Sequence, residues 1–165
     1  MAELRHTYYQ SPIGLLKIGG TEAYIAEVNF HDSSRKPETR KKPIPPLLIQ
    51  CVEELIQYFN GQRRTFDLPL HQEGSAFQRS VWAELMQIPF AKTISYQELA
   101  RRTGDPRATR AVAAANGRNA IAILVPCHRV IGVNKDLIGY AGGLWRKKWL
   151  LDHEARIAFG VQTLF

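Results

Sequence analysis

The sequence predicts an α+β protein of two lobes, residues 1–74 and 75–165. Three observations predict it. Residues 7–30 alternate short β-rich pieces with turn signals. From Ser75 onward, helix-length segments follow in quick succession, opened by capping residues and closed by glycine or proline. The charge divides at the same point: residues 1–74 hold nine Lys/Arg against nine Asp/Glu, whereas residues 75–165 hold thirteen against six and carry the whole net charge of +7.

In the first lobe, Thr7 to Phe30 reads as an antiparallel meander. Ser11-Pro12-Ile13-Gly14 is a turn between two strand-like pieces, Gly19-Gly20 breaks the second, and Ala23 to Phe30 supplies the third. His31 to Pro46 sets two basic clusters, Arg35-Lys36 and Arg40-Lys41-Lys42, among four prolines and reads as an exposed mobile loop. A solvated surface explains those clusters before a DNA contact does. Leu48, Val52, Leu55, Ile56 and Phe59 recur at helical spacing, so a helix is predicted over Leu47 to Phe59, closing at Gly61. Cys51 falls among its apolar positions and reads as an inert core thiol. Phe66 to Leu70 reads as a short strand, and His71 to Ser75 as the linker.

In the second lobe, Ser75 caps a helix running to Met86, with Phe77, Val81, Trp82 and Leu85 facing inward and Pro89 ending it. Ser95 caps a second helix, Tyr96 to Thr103, with Glu98 at the capping-box position and Gly104 as the stop. Asp105 caps a third, with Pro106 at its first position and an alanine-rich run to Ala115, closed by Asn116-Gly117. Two short helices joined by a tight turn form a helix-turn-helix. Ala111, Ala113, Ala114 and Ala115 permit close approach either to another helix or to DNA; Arg101, Arg102, Arg107 and Arg110 favour DNA. Ala120 to Val125 reads as an apolar strand that stops at Pro126-Cys127-His128-Arg129. Gly132 to Gly139 is a loop or hairpin, and Gly139-Tyr140-Ala141-Gly142-Gly143 is a flexible segment. A last helix, Leu144 to Ala158, buries Trp149, Leu150 and Leu151 and carries His153-Glu154 near its end.

Composition narrows the class of function. A basic excess confined to one lobe points to a polyanionic partner. No apolar run is long enough to span a membrane, and the first residues show no secretory signal. Two cysteines without a CxxC read as intracellular free thiols in preference to a disulfide. A sulfur-rich zinc site cannot be assembled from them; the five histidines leave only a weaker site open.

Cys127 is where chemistry concentrates. An unperturbed thiol titrates near ~8.5, so a base must help form the thiolate. His128 is the nearest candidate, yet neighbouring strand side chains point to opposite faces, so contact needs a turn after Pro126 or a bridging water. Such a histidine needs an orienting group, for which Glu154 is the candidate carboxylate. These residues alone do not decide between a reactive set and accidental neighbours.

The surrounding motifs decide it. Ile123-Leu124-Val125-Pro126-Cys127-His128-Arg129-Val130-Ile131-Gly132 resembles the signature of the O6-alkylguanine-DNA alkyltransferases. The resemblance extends through Ser95-Tyr96, Arg110-Ala111-Val112, Ala114-Ala115-Asn116-Gly117-Arg118-Asn119, Gly139 to Gly143 and Lys148 to Glu154, covering Phe77 to Glu154. The amino-terminal lobe is similar in outline only, through Ser11-Pro12-Ile13-Gly14. The family implies a ribonuclease H-like first lobe and a winged-helix-like second one. It implies single-turnover repair, in which Cys127 takes the alkyl group of O6-alkylguanine, and of O4-alkylthymine, from a flipped nucleotide. Matched by position, His128 relays the thiol proton through a water, Glu154 orients it, and Asn119 ties the recognition helix to the active-site strand. Tyr96 assists the leaving guanine and presses on the backbone phosphate, Arg110 fills the gap left in the duplex, and Gln78, Gln97, Ala108 and Thr109 touch DNA from the minor groove. Tyr140, Ala141 and Val130 bound the base pocket.

The resemblance further implies double-stranded DNA bearing alkylated guanine as partner, a monomer able to bind cooperatively, no cofactor, and a cytoplasmic location, on the nucleoid in a prokaryote. Ala141 stands where some relatives have serine, which bears on tolerance for bulky alkyl groups. The metal-binding cysteines and histidines of some relatives have no match, so no zinc is expected. Cys127 sets the chain apart from relatives that bind lesions without transfer. Two other classes compete: a DNA-binding regulator that senses alkylation, for whose extra module 165 residues leave no room, and a cysteine hydrolase, which would turn over repeatedly.

Overall fold

The computed structural model describes residues 3–32 and 42–160. Most of the basic stretch read as a mobile loop, residues 33–41, lies outside the described residues. The chain divides into two compact units, residues 1–72 and 73–165.

The first unit is a three-stranded antiparallel sheet with one helix across it. Strands β1 (Arg5–Ser11), β2 (Gly14–Gly20) and β3 (Ile25–Phe30) pair in the order β1-β2-β3, with a bulge at Gly19/Gly20. Ser11 builds the first turn: its hydroxyl donates to Gly14 O at 2.6 Å and accepts from Ile13 N at 3.2 Å. Helix α1 (Pro46–Phe59) packs on all three strands. Its buried face is Leu48, Cys51, Leu55, Tyr58 and Phe59, whereas Ile56, expected inward, is exposed. The stripe is centred on Leu55, and the next residue lies about 100° further round the helix. The predicted strand at Phe66–Leu70 does not form. Leu70 makes a single parallel bridge to Ile25, because Pro69 has no N–H to extend a ladder.

The second unit is mainly helical. Helix α2 (Ala76–Leu85) begins with a complete capping box, Ser75 and Gln78 each serving the other's backbone. It ends well before Pro89. Val81, Trp82 and Leu85 are buried, but Phe77 is exposed. Trp82 Nε1 donates to Ala115 O at 2.9 Å and pins α2 to α4 (Thr109–Gly117). Short strands β4 (Ile94–Ser95) and β5 (Val130–Ile131) pair in parallel. Helix α3 (Tyr96–Arg102) is capped by Ser95, which accepts from Glu98 N at 3.0 Å. The box stays half made, because the Glu98 carboxylate turns to Arg101.

α3 and α4 pack together as the expected helix-turn-helix. α4 starts at Thr109, later than predicted. Asp105 Oδ1 accepts from Arg107 N at 2.9 Å, and Ala108 N donates to Asp105 O at 3.0 Å, so its cap closes a separate turn. Gly104, at φ +110, lets the chain leave α3.

The largest correction concerns Ala120 to Val125. This apolar run is a coil of tight turns, with Val125 N donating to Ile121 O at 3.0 Å and Cys127 N to Val125 O at 2.8 Å. Ile123 sits at φ +72, a conformation that costs a β-branched residue about 1–3 kcal/mol. Helix α5 (Leu144–Phe159) closes the unit after Gly143, at φ +95. Leu150 and Leu151 are buried, while Trp149 is only half-buried, its ring stacked on His153 at 4.7 Å. Among the described residues no helix is long and apolar enough to cross a membrane.

Candidate active site

Cys127, His128 and Arg129 form one turn of 3-10 helix directly after Pro126. With three residues per turn, successive side chains leave in three directions, about 120° apart. This supplies the turn that a strand could not. One end of the coil is stapled by Asn119: its Nδ2 donates to Val125 O at 2.9 Å and Ile121 O at 3.3 Å, and its Oδ1 accepts from Ile121 N at 3.1 Å. From α4, Asn116 Nδ2 reaches Cys127 O at 3.4 Å. Burial pushes the Cys127 thiol up, while the Asn119 amide and the Lys147 charge pull in the opposite direction. The thiol is therefore protonated at rest and needs a base.

His128 and Glu154 are fully buried and joined, Nε2 to Oε2, at 2.8 Å. Arg129, also buried, grips the same carboxylate through Nε at 2.9 Å and Nη2 at 3.0 Å, and its Nη1 donates to Ile88 O at 2.8 Å. Ala91 N adds a hydrogen bond to Oε1 at 3.1 Å from a backbone at φ +63. Burial alone would raise the Glu154 carboxyl, but His128 and Arg129 outweigh it and hold it well below the usual carboxylate range. An ionised Glu154 fixes the imidazole with its proton on Nε2. Burial keeps that ring neutral, pulling it down against the opposing effect of Glu154. Nδ1 is then a bare lone pair, without a hydrogen-bond partner among the described residues. A neutral imidazole with its Nδ1 unpaired and a protonated thiol on the preceding residue are the resting state this arrangement produces.

On another side lies Lys147, fully buried at the start of α5. Its Nζ donates to Ile138 O at 2.7 Å, Gly139 O at 3.1 Å and the Tyr96 hydroxyl at 3.3 Å. Burial pulls this lysine down to about 8, and the nearby Cys127 works the other way. Tyr96 donates to Ile138 O at 2.9 Å; burial and Cys127 raise its pKa, with Asn116 opposing, so it stays a donor. Burial likewise pushes the Tyr140 hydroxyl far up, and it has no partner among the described residues.

Tyr96, Thr109, Arg110, Asn116, Gly139 and Tyr140 contribute to the lining of a mostly apolar cavity of about 290 Å³. That is the small end of ligand pockets, which run about 300–1,000 Å³. Cys127 is not in the lining, but Tyr96, Asn116 and Tyr140 neighbour it. Two expected pocket residues are not in the lining either. Val130 is fully buried in β5, and Ala141 is exposed to solvent. Of the expected DNA contacts, Arg110 and Gln97 are exposed and Thr109 and Ala108 half-buried at the start of α4. The Gln78 side chain is engaged in the α2 cap, accepting from Ser75 N at 2.9 Å. No cluster of three or more His, Cys, Asp or Glu able to hold a metal exists among the described residues.

Arg129, Lys147 and Asn116 are site residues that the sequence did not single out. A buried cation has no periodicity of its own, and its partners here lie on other segments, 25 residues away for Arg129–Glu154 and 8, 9 and 51 for Lys147 with Gly139, Ile138 and Tyr96. The one available signal was a lysine in the otherwise inward register of α5, three residues before Leu150.

Residues 76–156 match the 6-O-methylguanine DNA methyltransferase DNA binding domain, and residues 4–72 match the ribonuclease-like domain of the same family. A methylated-DNA–protein-cysteine methyltransferase of Mycolicibacterium paratuberculosis is 46% identical over 94% of this chain and 94% of its own length. The Methanosarcina acetivorans protein of that name is 42% identical over 90% of this chain and 97% of its own. The crystal structure of the Mycobacterium tuberculosis O6-methylguanine methyltransferase superposes with a TM-score of 0.82 at 40% identity, covering 92% of this chain and 93% of that one. The same relative in complex with DNA gives a TM-score of 0.83. With both domains matched in order and relatives this similar along nearly their whole length, the chain belongs to the 6-O-methylguanine DNA methyltransferase family.

Proposed function

We propose that this methyltransferase repairs DNA by moving the alkyl group of O6-alkylguanine to Cys127, once per molecule. The observation that carries the reading is the neutral His128, pinned by an ionised Glu154 with its Nδ1 bare, in the residue next to a buried thiol. A water passes the Cys127 proton to Nδ1. The sulfur then attacks the alkyl carbon in line with the C–O6 bond. An S–C bond forms, the C–O bond breaks, and its electron pair goes to the guanine, which takes up a proton and leaves as ordinary guanine. Tyr96, a donor supported by Lys147, assists that leaving group, and the Lys147 charge favours the thiolate. A thioether has no leaving group for water to displace, so the acceptor is spent.

A guanine within the duplex cannot reach a buried sulfur, so the nucleotide flips, at a cost of a few kcal/mol. Arg110 fills the gap, Tyr140 walls the base, and the excess of Lys/Arg in residues 75–165 holds the phosphates without reading sequence. O4-alkylthymine carries the same kind of activated ether and is a second substrate. The protein acts as a monomer in the cytoplasm.

The test is to react the protein with a duplex carrying one O6-methylguanine and locate the adduct by peptide mass. Cys127 should gain one methylene, Cys51, whose thiol burial pushes up to about 12, should gain none, and Cys127→Ala should yield no adduct. An adduct on Cys51, or one surviving in Cys127→Ala, defeats the proposal.

A further inference from the structure

The link between α2 and β4 grips both members of the ion pair behind His128. Ile88, buried near its start, accepts from Arg129 Nη1 at 2.8 Å, and the Phe90 ring covers the Arg129 guanidinium at 5.7 Å. Ala91 N donates to Glu154 Oε1 at 3.1 Å, where Arg129 Nε also donates at 2.9 Å. Oε2 takes Arg129 Nη2 at 3.0 Å and His128 Nε2 at 2.8 Å. The Ala91 N–H reaches Glu154 from a turn closed by Lys92 N donating to Pro89 O at 3.1 Å, with Ala91 at φ +63. That left-handed conformation is disfavoured for a residue with a Cβ. Such strain persists where the surrounding structure requires it, and it gathers at active sites.

A buried carboxylate beside an imidazole can act on it in two ways. It can orient the ring, and it can draw a proton on to it, because carboxylate and imidazolium attract strongly where water is excluded. The second effect would disable the base, since an imidazolium has no lone pair to take the Cys127 proton. Each further donor on the carboxylate spreads its charge and weakens that pull. We propose that Ala91 is a positioning residue for the alkyl transfer: its N–H, together with Arg129, occupies Glu154 so that the carboxylate orients His128 without charging it. Glu154 and Lys147 from α5 and Arg129 from its own turn act on His128, and of these Glu154 alone favours the imidazolium. α2, which also packs on that turn, buries Val81, Trp82 and Leu85 and no charged side chain. The inference rests on the alkyl-transfer reading above and adds to it the contact that keeps its base neutral.

The experiment removes that one hydrogen. Lactic acid in place of Ala91, introduced by nonsense suppression, turns the amide into an ester that keeps the methyl side chain and lacks the N–H. Single-turnover rate constants for methyl transfer from an O6-methylguanine duplex are measured across pH for this protein and the wild type. A rate constant counts only the molecules that react, so a smaller folded fraction lowers the amplitude and leaves the pH profile in place. Without the N–H, Glu154 holds an imidazolium more strongly, and the acid limb should move to higher pH. Ala91→Val, whose branched side chain resists φ +63, should move it the same way. The His128 ring, followed by NMR during titration of the protein without DNA, should show the same upward shift. An acid limb and a ring titration that stay in place, or move to lower pH, in the ester protein overturn the inference. A wild type that forms no adduct at any pH removes the alkyl-transfer reading instead, and the ring titration still decides whether Ala91 keeps His128 neutral.

Discussion

Replacing Arg129 with methionine isolates the part of the site that the sequence concealed. Methionine keeps most of the length and apolar contact but removes the fork that holds Glu154 at 2.9 and 3.0 Å and caps Ile88 O at 2.8 Å. The carboxylate stays buried, with Ala91 N and His128 among its partners. Stripping one partner from a buried ion pair costs about 3–5 kcal/mol, because the remaining charge cannot reach water. For a chain of this size each kcal/mol shifts the melting temperature by about 2–4 °C, so a fall of about 6–20 °C is expected. Arg129→Lys should recover less than half of it, since an ammonium is a point charge and not a planar fork. The reaction should change as well. Arg129 opposes protonation of His128, so its removal moves the acid limb of the pH–rate profile to higher pH. Thermal melts and single-turnover rates at a series of pH values read both effects. A loss below about 1 kcal/mol, as for an exposed pair, with an unmoved acid limb would refute the idea that Arg129 is the fixed countercharge of Glu154.

Stability should fall steadily on acidification. Below about pH 6.5 an unfolded histidine takes a proton that buried His128 refuses, and near pH ~4.3 an unfolded glutamate takes one that Glu154 refuses. In both windows the unfolded chain binds more protons, so stability drops with pH by up to about 1.4 kcal/mol per pH unit for each group. Urea midpoints that stay flat from pH 7 to 4 would contradict this. Lys147→Met should slow adduct formation at neutral pH, because the charge that favours the thiolate is gone, while leaving affinity for undamaged duplex nearly unchanged; equal losses in both would assign Lys147 to DNA binding. Arg110→Ala should slow repair in duplex DNA far more than reaction with a free O6-alkylguanine base, because only the duplex has a gap to fill; equal losses on both would remove the finger role.

Local signals in the sequence carried far. The Ser75 and Ser95 caps, the glycine stops and the apolar spacing of α1 and α2 each act within a few residues, and the structure follows them closely. They failed where two local signals compete. Asp105 and Pro106 spell a helix start, but the Asp105 side chain closes its own turn before α4 begins. Ala120 to Val125 has strand composition, yet Asn119 gathers its backbone into a coil, and nothing in an apolar run shows that a neighbouring amide will do so. Phe77 belongs to the apolar register of α2 but lies in its first turn, where the helix face turns out to water. Cys127, His128 and Glu154 were legible because a motif fixes them. The second layer of the site was not. Whether Arg129 and Lys147 are buried depends on a carboxylate and on backbone carbonyls supplied by other segments, and no spacing rule carries that information.

The most direct test of the central claim is a titration. A fixed amount of protein is mixed with increasing O6-methylguanine duplex, and the guanine restored within the duplex is counted against the protein consumed. A break at one methyl per protein is expected, with no further repair however long the excess substrate remains. Repair continuing past one equivalent would contradict an acceptor that is spent in a single reaction.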